Sequence, residues 1–519
     1  MNKSLLEKLL DFYQISYEDY VYMTRDVSLD TFRGNHQFND IDNALKVVRD
    51  AINNHDKIMI YGDYDADGIM GTSILVKMFQ YLDVVVSYYI PSRYLDGYGL
   101  TLEHAKEYVK NGYKLVITVD NGISAFEPIA YLRENGVHVL ILDHHQEQGE
   151  VPVADAICHP TYSKFGETAS SGAFTAFIYS IEMLGYIDKY LSILASISLI
   201  SDMMPLRDYN RDLLRAVFKV YKPKEFLPID LLADGEPLDE NLIGMKIAPR
   251  INSVGRLCED SSINEIVQFF TSNNEEFILN YFAHIVDMND IRKNLSRENS
   301  DNLYVSDGEK AIVILGDYKE GLIGLIANSL VNKYHVPTVV FTRSINNEYK
   351  GSARAPEGFD IVNAFNQLTD LLITFGGHAL AGGCSIRAEN FEKFKSSFNE
   401  LAKNTPIVYV EHPSIEIKFS EINLENYELV NSFSPFGEAW KVPTFKIKHI
   451  KADSLMYSRD GKHILTSIGS SIRLVGFNFS RDYMSEFSFV NIVGTLAKTS
   501  YRGNSYIEFR IKEIEPYNN

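Results

Sequence analysis

KIMIYGDYDADGIMG, residues 57–71, joins a short apolar run to three aspartates at alternate positions. The run Ile58 to Tyr61 is apolar on both faces, which predicts a buried strand of a parallel sheet covered by helices. Asp63, Asp65 and Asp67 therefore follow the end of that strand. Three carboxylates this close together raise one another's pKa values unless a cation offsets their charge. The stretch thus predicts a divalent metal site at the end of a buried strand.

Two other structures share parts of this pattern. A calcium-binding EF-hand loop begins with the same Asp-x-Asp-x-Asp-Gly spacing. Here, however, its twelfth position is Ile74 in place of a glutamate, and a predicted strand precedes the loop in place of a helix. An isolated Asp-Gly pair is commonly a solvated turn. Because the three acids follow a buried strand together, a metal site is the preferred interpretation.

The composition indicates a globular protein of about three domains. Of the 519 residues, 45% are apolar and 12% aromatic, which is enough for packed cores. No apolar window reaches the length of a membrane span, and the first residues, MNKSLLEKLLDFYQ, are unlike a signal peptide, so a cytoplasmic location without a membrane partner is expected. The net charge of -19 argues against non-specific coating of nucleic acid, but it does not exclude a local basic channel. Three widely spaced cysteines predict neither disulfides nor a zinc knuckle.

Strands and helices alternate after residue 57, which predicts a doubly wound parallel sheet whose ligands bind at the carboxyl ends of the strands. Acidic or histidine residues follow two further predicted strands at that edge, and the apolar run ASISLISD, predicted as a helix, presents one more aspartate. A lone Asp after a strand is usually a cap or a turn residue. Their shared edge is what favours a functional site. These residues are Asp120 after Leu115 to Val119, then Asp143, His144 and His145 after Val139 to Leu142, and Asp202.

The order and spacing of these motifs resemble a known superfamily. GDYDADG, VDNG, DHH and SD look like the four motifs of the Asp-His-His (DHH) phosphoesterases. Downstream, four motifs resemble the RecJ-type single-strand-specific exonucleases, the last of them in the associated DHHA1 domain. The resemblance extends from about Lys57 to the end of the chain. The four motifs are APRINSVGR (248–256), EGLIGLIA (320–327), GSARAPEGFD (351–360) and FGGHALAGG (375–383).

The resemblance implies two divalent ions, Mn²⁺ or Mg²⁺, with Asp120 as the bridging ligand. Oxygen ligands with an imidazole suit manganese better than zinc, for which thiolates would be expected. Two such ions can clamp the attacking and leaving oxygens of a phosphoryl displacement. Asp143 and His145 are then expected to orient the ligands or to contact phosphate. The implied metal ligands are Asp63, Asp65, Asp67, Asp120, His144 and Asp202, and the implied catalytic residues are Asp65, Asp120, Asp143, His144 and His145.

The resemblance also implies contacts to substrate phosphates from both sides of a cleft. Glycine-rich surroundings let backbone approach a phosphate closely, and arginine can bind it bidentately. A single arginine is about as often part of a surface ion pair. The implied substrate-binding residues are Arg93, Arg250, Arg256, Ser352, Arg354 and His378.

Three positions depart from the pattern of the family. Tyr61 stands where several relatives carry a histidine two residues before the first acid, so the first ion is expected to be held by oxygen ligands alone. His159 stands where an asparagine is common, and Leu199 where a threonine is usual. These departures leave the coordination of the first ion open.

Four regions are predicted along the chain. They are a DHH domain at 1–262, a helical connector at 263–305, a smaller α/β DHHA1 domain at 306–403 and an OB-fold β-barrel at 404–519. Alternating strands with turns after Ser434 indicate the barrel. Such barrels bind single strands by stacking bases on aromatic rings beside basic residues, for which Tyr457, Phe477, Tyr501 and Tyr506 are candidates.

These features together predict a metal-dependent 5′-to-3′ exonuclease that hydrolyses single-stranded DNA by a two-metal mechanism, in DNA repair and recombination. A monomer is expected, with single-stranded DNA as substrate and single-strand-binding protein or a helicase as partners. One alternative is a DHH phosphodiesterase acting on short RNA oligonucleotides or cyclic dinucleotides, which the long chain and the terminal barrel disfavour. Another is a non-catalytic Cdc45-like replication scaffold, which the complete ligand set disfavours.

Overall fold

The computed structural model describes residues 3–32, 38–147, 149–164, 169–301, 309–344, 347–405, 413–469, 472–501 and 504–517. The chain divides into two compact units. The larger unit is Ser28–Val410, and the smaller unit combines Met1–Val27 with Glu411–Asn519. Among the described residues, no helix is both long and apolar enough to cross a membrane.

A parallel sheet of five strands opens the larger unit, in the order β2-β1-β3-β4-β5. It confirms the predicted doubly wound parallel sheet. On one face Met59, Tyr61 and Val116 pack with Tyr108 and Leu132 of the neighbouring helices. Two short helices of the smaller unit, α1 (Leu5–Tyr13) and α2 (Tyr17–Thr24), precede this region. Its elements are α3 (Ile41–Asn53), β1 (Ile58–Tyr61), α4 (Ala66–Tyr81), β2 (Ser87–Tyr89), α5 (Leu102–Lys110), β3 (Leu115–Val119), α6 (Phe126–Glu134), β4 (His138–Leu142), β5 (Ala156–Cys158), α7 (Gly172–Leu184) and α8 (Lys189–Ser201).

A series of helices connects this sheet to the next. The predicted helical connector consists of two helices, with residues 272–274 between them. A π-helical turn, Ile243–Ile247, leads into the helix that carries the motif APRINSVGR. The helices are α9 (Asp208–Val220), α10 (Leu227–Leu232), α11 (Glu240–Leu242), α12 (Ala248–Leu257), α13 (Glu265–Thr271) and α14 (Glu275–Asp301).

A mixed sheet of five strands completes the larger unit, in the order β6-β7-β8-β10-β9. Only the first pair, β6 with β7, is parallel among these strands. Its core contains Phe341, Phe365 and Phe394. This is the smaller α/β region that the sequence predicts. Its elements are β6 (Ile312–Gly316), α15 (Glu320–Tyr334), β7 (Thr338–Arg343), β8 (Glu348–Arg354), α16 (Ile361–Asn366), β9 (Thr374–His378), β10 (Ala381–Arg387) and α17 (Phe391–Asn404).

The smaller unit is built on a mixed sheet of six strands, in the order β11-β12-β15-β16-β14-β13, which is consistent with the predicted OB-fold. The N-terminal helices pack on this region: the ring of Tyr13 stacks on Trp440 at 4.1 Å and on Phe433 at 5.2 Å. The sequence predicts residues 1–27 as part of the first domain, whereas by their contacts they group with the smaller unit. The elements are β11 (Ile415–Glu416), α18 (Leu424–Asn431), β12 (Phe445–Lys451), β13 (Ile464–Ile468), β14 (Ile472–Gly476), α19 (Arg481–Met484), β15 (Phe489–Tyr501) and β16 (Asn504–Pro516).

Candidate active site

The acidic loop between β1 and α4 places its three carboxylates in three different ways. Asp65 is the N-cap of α4, and its Oδ1 accepts the backbone N–H groups of Asp67 at 2.9 Å and Gly68 at 3.2 Å. Asp63 is buried, and its Oδ1 has no hydrogen-bond partner. Asp67 lies in the first turn of α4, because the helix begins at Ala66. The loop therefore ends at Asp65, and the third aspartate already belongs to the helix.

The N-terminus of α7 holds the third carboxylate. Asp67 accepts the backbone N–H groups of Gly172 at 2.8 Å and Ala173 at 2.7 Å, together with the hydroxyl of Ser198 at 2.6 Å. The N–H groups of a helix N-terminus favour such an anion. A Cβ on Gly172 would lie 2.8 Å from the Cα of Asp120, so only glycine lets α7 approach this closely. The contact brings Asp67 and Asp120 together.

Asp120 follows β3 in a left-handed backbone conformation, with φ of 60°. Its backbone N–H donates to the carbonyl of Leu142 at 2.9 Å, which continues the ladder between β3 and β4. The amide of Asn121 donates to the carbonyl of Gly62 at 3.0 Å and ties this turn to the acidic loop. A non-glycine residue in this conformation is uncommon, and Asp is one of the residue types that tolerate it. The strand end thus directs Asp120 at the acidic loop.

Asp143 anchors the segment after β4. Its carboxylate accepts the backbone N–H groups of Ile123, His144 and His145 at 2.9, 2.7 and 3.2 Å, and lies 2.9 Å from Nδ1 of His145. Burial alone would raise the pKa of Asp143, but the hydrogen bond and charge of His145 lower it to about 2. In turn, burial would lower the pKa of His145, yet Asp143 raises it to about 9. Asp143 and His145 therefore form a hydrogen-bonded pair beside the possible metal ligands.

His144 lies among three carboxylates. Its Nε2 is 3.1 Å from Oδ1 of Asp120, 3.5 Å from Oδ2 of Asp67 and 3.5 Å from Oδ2 of Asp202. Burial lowers the pKa of His144, which favours the neutral imidazole that a metal requires. Asp202 follows the end of α8, as the sequence predicts. The described residues form three possible ligand groups: Asp67 with His144 and Asp202, Asp120 with His144 and His145, and Asp63 with Asp65 and Asp120. Asp120 belongs to two of them, and it approaches the His144 side and the acidic loop alike.

The electrostatics of these carboxylates fit a bound cation. Burial and the neighbouring carboxylates raise the pKa values of Asp63, Asp65 and Asp120. The same causes raise the pKa of Asp202 to about 8, and its Oδ2 is buried without a hydrogen-bond partner. Packed anions of this kind cost free energy unless a cation offsets them. Hard oxygen ligands with one imidazole suit Mn²⁺ or Mg²⁺.

Two residues that depart from the family pattern, Tyr61 and His159, make hydrogen bonds close to the possible metal ligands. The hydroxyl of Tyr61 donates to the carbonyl of Gly99 at 2.9 Å, within the core that contains Tyr108. Nε2 of His159 lies 2.9 Å from the carbonyl of His145, and its Nδ1 accepts the N–H of Thr161, so His159 supports the backbone of the DHH motif. We therefore expect no direct metal contact from Tyr61. The ligand group of Asp63, Asp65 and Asp120 contains oxygen donors only.

Two unequal manganese sites are expected. The group with His144 offers an imidazole, whereas the group with Asp63 and Asp65 offers only carboxylates, which bind more weakly and discriminate less between Mn²⁺ and Mg²⁺. Calorimetric titration of the metal-free protein with MnCl₂ should show two distinct affinities, and His144→Ala should remove the tighter one. His138→Ala, at an exposed histidine on the same sheet, is the matched control. Two sites of equal affinity would contradict this assignment.

The arginines predicted to bind substrate fall into two groups. The guanidinium of Arg93 lies 4.2 Å from the ring centre of Tyr64, and Arg256 donates to the carbonyl of Gly321 at 3.1 Å. Arg354 donates to the hydroxyl of Ser352 at 3.1 Å. A Cβ on Gly321 would lie 2.2 Å from the carbonyl oxygen of Arg256, so glycine there lets α15 approach α12. A Cβ on Gly324 of α15 would lie 3.1 Å from Oγ of Ser352 and from Nη2 of Arg354, so β8 and α12 both pack against α15 at these residues. The hydroxyl of Tyr94, next to Arg93, donates to the carbonyl of Arg256 at 2.6 Å.

Arg250 is different. Its guanidinium donates to both carboxylate oxygens of Asp234, at 2.9 and 3.2 Å, and to the carbonyl of Leu232 at 2.7 Å. An arginine engaged bidentately in this way has a structural role, since Asp234 already compensates its charge. We therefore leave Arg250 out of the substrate-binding set that the sequence predicts.

His378 faces the DHH motif across a cavity of about 500 Å³. Asp143, His145 and Tyr98 line the same cavity, and the Tyr98 hydroxyl lies 2.9 Å from Nε2 of His145. The sequence motifs do not single out Tyr98. They also miss Asn121 and Ser198, whose roles depend on contacts between elements distant in sequence.

Comparison with known proteins agrees with this arrangement. Residues 57–197 match the DHH family, N-terminal domain, residues 308–404 match the DHHA1 domain and residues 414–513 match the RecJ OB domain. The chain thus contains a DHH domain and a DHHA1 domain, as the phosphoesterases of that superfamily do. With the third domain, it is similar to RecJ proteins over most of its length.

Several curated proteins and solved structures are similar to this chain over most of its length. The chain is 30% identical over 502 residues to the single-stranded-DNA-specific exonuclease RecJ of Bacillus subtilis, covering 91% of this chain and 62% of that protein. Identity to the Haemophilus influenzae RecJ is 26%, covering 95% and 93% respectively. The crystal structure of Thermus thermophilus RecJ with Mn²⁺ superposes with a TM-score of 0.83 at 21% identity, over 99% of this chain and 78% of that one. A manganese-bound exonuclease RecJ matches with a TM-score of 0.62 at 27% identity, over 71% and 96%.

Proposed function

We propose that this protein is a metal-dependent exonuclease that hydrolyses single-stranded DNA from the 5′ end, by a two-metal mechanism, in DNA repair and recombination. The observation that carries the proposal is that two ligand groups share Asp120 and lie in one unit with partly buried arginines. Relatives over most of the chain are named single-stranded-DNA-specific exonucleases, and similar structures were solved with Mn²⁺ and Mg²⁺. We infer the same substrate and metals here.

The chemistry follows from the ligand groups. Divalent ions, when bound, would supply an activated water and would offset the charge of a phosphate undergoing in-line displacement. Asp63, Asp65 and Asp120 would hold one ion, and Asp67, Asp120, His144 and Asp202 the other. Asp143 orients His145 through a hydrogen bond of 2.9 Å. His145 would then contact a non-bridging phosphate oxygen. These roles agree with the catalytic set that the sequence predicts.

Recognition of a chain end would come from the opposite sheet. Arg354 and Ser352 lie beside each other on β8, and Arg93 lies on the loop after β2. Guanidinium groups with a hydroxyl are suited to a terminal phosphate monoester. If a 5′-phosphate fills this pocket, only a free end reaches the metal centre. Exonuclease action without endonuclease action follows.

A cleavage assay tests the proposal directly. Linear single strands labelled at either end, a circular single strand, a duplex and a dinucleotide are each incubated with MnCl₂ or with EDTA. We expect metal-dependent release of mononucleotides from the 5′ end of linear strands only. Cutting of the circle, or digestion from the 3′ end, would overturn the assignment. Fast hydrolysis of dinucleotides beside slow hydrolysis of long strands would favour the smaller-substrate phosphodiesterase instead. Inactivity on every substrate would favour the scaffold.

The C-terminal sheet carries features suited to a single strand. The guanidinium of Arg473 lies 3.6 Å from the ring centre of Tyr506, and that of Arg481 lies 5.3 Å from the ring centre of Tyr457. Phe477 is 66% exposed. The side chain of Tyr501, also a candidate, lies outside the described residues. Exposed rings beside arginine stack bases without sequence preference.

Phe477→Ala and Tyr506→Ala are expected to weaken binding of long single strands by about fivefold or more each, because a stacked base contributes about 1–3 kcal/mol. The cleavage rate of short substrates should stay near that of the wild type. Anisotropy measurements with labelled strands of increasing length check this. Tyr17→Ala, at an exposed ring on α2 of the same unit, is the matched control. Equal weakening by all three substitutions would contradict a specific aromatic path.

Contacts with single-strand-binding protein or a helicase, and a monomeric state, are part of the proposal. They rest on the family alone. Analytical ultracentrifugation of the protein, with and without a single-strand-binding protein, tests both.

A further inference from the structure

Four arginines lie on α12 or on segments that pack against α12 and α15. Arg93 lies on the loop after β2, Arg256 on α12, Arg354 on β8 and Arg292 on the connector helix α14. We call these four residues the arginine cluster. The sequence analysis assigns substrate contacts to the first three but not to Arg292, which lies in a helical stretch without any recognisable motif.

The position of Arg292 follows from the pattern of α14. Met288, Arg292 and Leu295 are spaced i, i+4 and i+7, so they share one face of the helix. Met288 and Leu295 pack against the core that contains Leu257 of α12 and Leu322 of α15. Arg292 therefore lies on the face of α14 directed at α12 and α15. The adjacent Lys293, by contrast, is about half exposed and pairs with Asp290.

The side chain of Arg292 is ordered but its charge is not offset. Its Nε and Nη2 donate to Oδ1 of Asn289, at 3.3 and 2.9 Å, and Asn289 is buried and neutral. Among the described residues, no member of the arginine cluster forms an ion pair with a carboxylate. Arg250, by contrast, donates to both carboxylate oxygens of Asp234, which offset its charge.

The four charges act on one another. Burial, together with the charges of Arg93, Arg292 and Arg354, lowers the pKa of Arg256 to about 10, while Asp65 opposes that shift. Burial also lowers the pKa values of Arg292 and Arg354. Partly buried like charges destabilise a fold unless an anion offsets them. The helix α12 that carries Arg256 packs on the acidic loop, because Asn252 accepts the backbone N–H of Ala66 at 2.9 Å and a Cβ on Gly255 would lie 1.9 Å from the carbonyl oxygen of Tyr64. The cluster therefore extends from the acidic loop towards β8.

We propose that Arg292 is a phosphate-binding residue of the connector helix, which completes the arginine cluster and holds a backbone phosphate of the single strand. This rests on the proposed function for the identity of the strand, but the anion site rests on the cluster alone. Asn289 pre-orients the guanidinium through two hydrogen bonds, so little conformational entropy is lost when the phosphate binds. A third part of the chain, besides the two sheets, thereby contacts the substrate.

The test compares Arg292→Gln with Lys293→Gln, which removes the same charge one residue further along the same helix. Binding of a 5′-phosphorylated single strand to the full chain is measured by anisotropy at several salt concentrations in EDTA, which stops cleavage. Arg292→Gln should weaken binding about tenfold, as expected for a hydrogen bond to a charged group. It should also reduce the slope of log K against log salt by about 0.7, the value for one phosphate contact on a single strand. Lys293→Gln should change neither quantity. Equal binding by both variants would refute the proposal.

Thermal unfolding separates a binding role from a structural one. Without ligand, Arg292→Gln should melt at or above the temperature of the wild type, because it removes repulsion within the cluster. Inorganic pyrophosphate should stabilise the wild type and Lys293→Gln, but Arg292→Gln less. A melting temperature several degrees lower for Arg292→Gln would show a structural role and overturn the proposal. If the wild type does not bind DNA at all, the proposed function fails, and the pyrophosphate measurement alone decides whether the cluster is an anion site.

Discussion

Asp120→Asn is expected to lower metal-dependent cleavage of single-stranded DNA by about 1,000-fold or more, because the two-ion arrangement supplies much of an acceleration that in enzymes is typically at least 10⁶-fold. Asp120 approaches both ligand groups, through His144 at 3.1 Å on one side and through Asp63 and Asp65 on the other. Replacing the carboxylate with a neutral amide removes the negatively charged ligand that both ions would share. Steady-state cleavage of a 5′-labelled strand with saturating MnCl₂ measures the effect.

The same substitution should leave the fold intact. In the metal-free protein, Asp120 is buried among carboxylates that raise its pKa, so replacing it with a neutral isostere removes repulsion. We expect a melting temperature in EDTA equal to or above that of the wild type, and a smaller increase when MnCl₂ is added. Asp42→Asn, at an exposed position in the first turn of α3, is the matched control and should change neither quantity. Near-normal cleavage by Asp120→Asn would sink the two-ion assignment.

The fold of the larger unit was predictable because its signals are local. Apolar runs such as Leu115 to Val119 are buried at every position, and each ends in the polar residues that the sequence shows. Since parallel strands end at one edge of a sheet, acids after different strands must lie near one another. That geometric rule brings Asp63, Asp120 and Asp143 together without any knowledge of side-chain contacts.

Other features depend on contacts that a single sequence does not reveal. Asp67 is fixed by the backbone N–H groups of α7, about a hundred residues later in the chain. Tyr13 stacks on Trp440, and no sequence motif predicts that packing contact. Arg250 and Arg292 both lie on helices, and only their contacts show that Arg250 donates to the carboxylate of Asp234 whereas Arg292 donates to the neutral Asn289. Sequence motifs therefore identify the metal site better than its charged surroundings.

Arg354→Ala is expected to reduce the preference for 5′-phosphorylated over 5′-hydroxyl ends by about 10- to 100-fold, the cost of losing hydrogen bonds to a charged group. Its guanidinium is half-buried, and donates to the Ser352 hydroxyl and the Ala353 carbonyl, which hold it on β8. Competition between the two kinds of strand, each labelled at its 3′ end, measures the preference. Arg354→Lys should retain only part of it, because lysine keeps the charge but loses the planar fork.

The control for charge alone is Arg387→Ala, at an exposed arginine where β10 of the same sheet ends. It should leave the preference unchanged. The length of the strand separates end recognition from overall affinity: if Arg354 binds the terminal phosphate, its loss should affect 5′-hydroxyl strands little and long strands no more than short ones. Loss of affinity for both kinds of end alike would instead assign Arg354 to an internal phosphate. The preference for a free 5′ end would then have to arise from closure of the cleft, and the circular strand would be the decisive substrate.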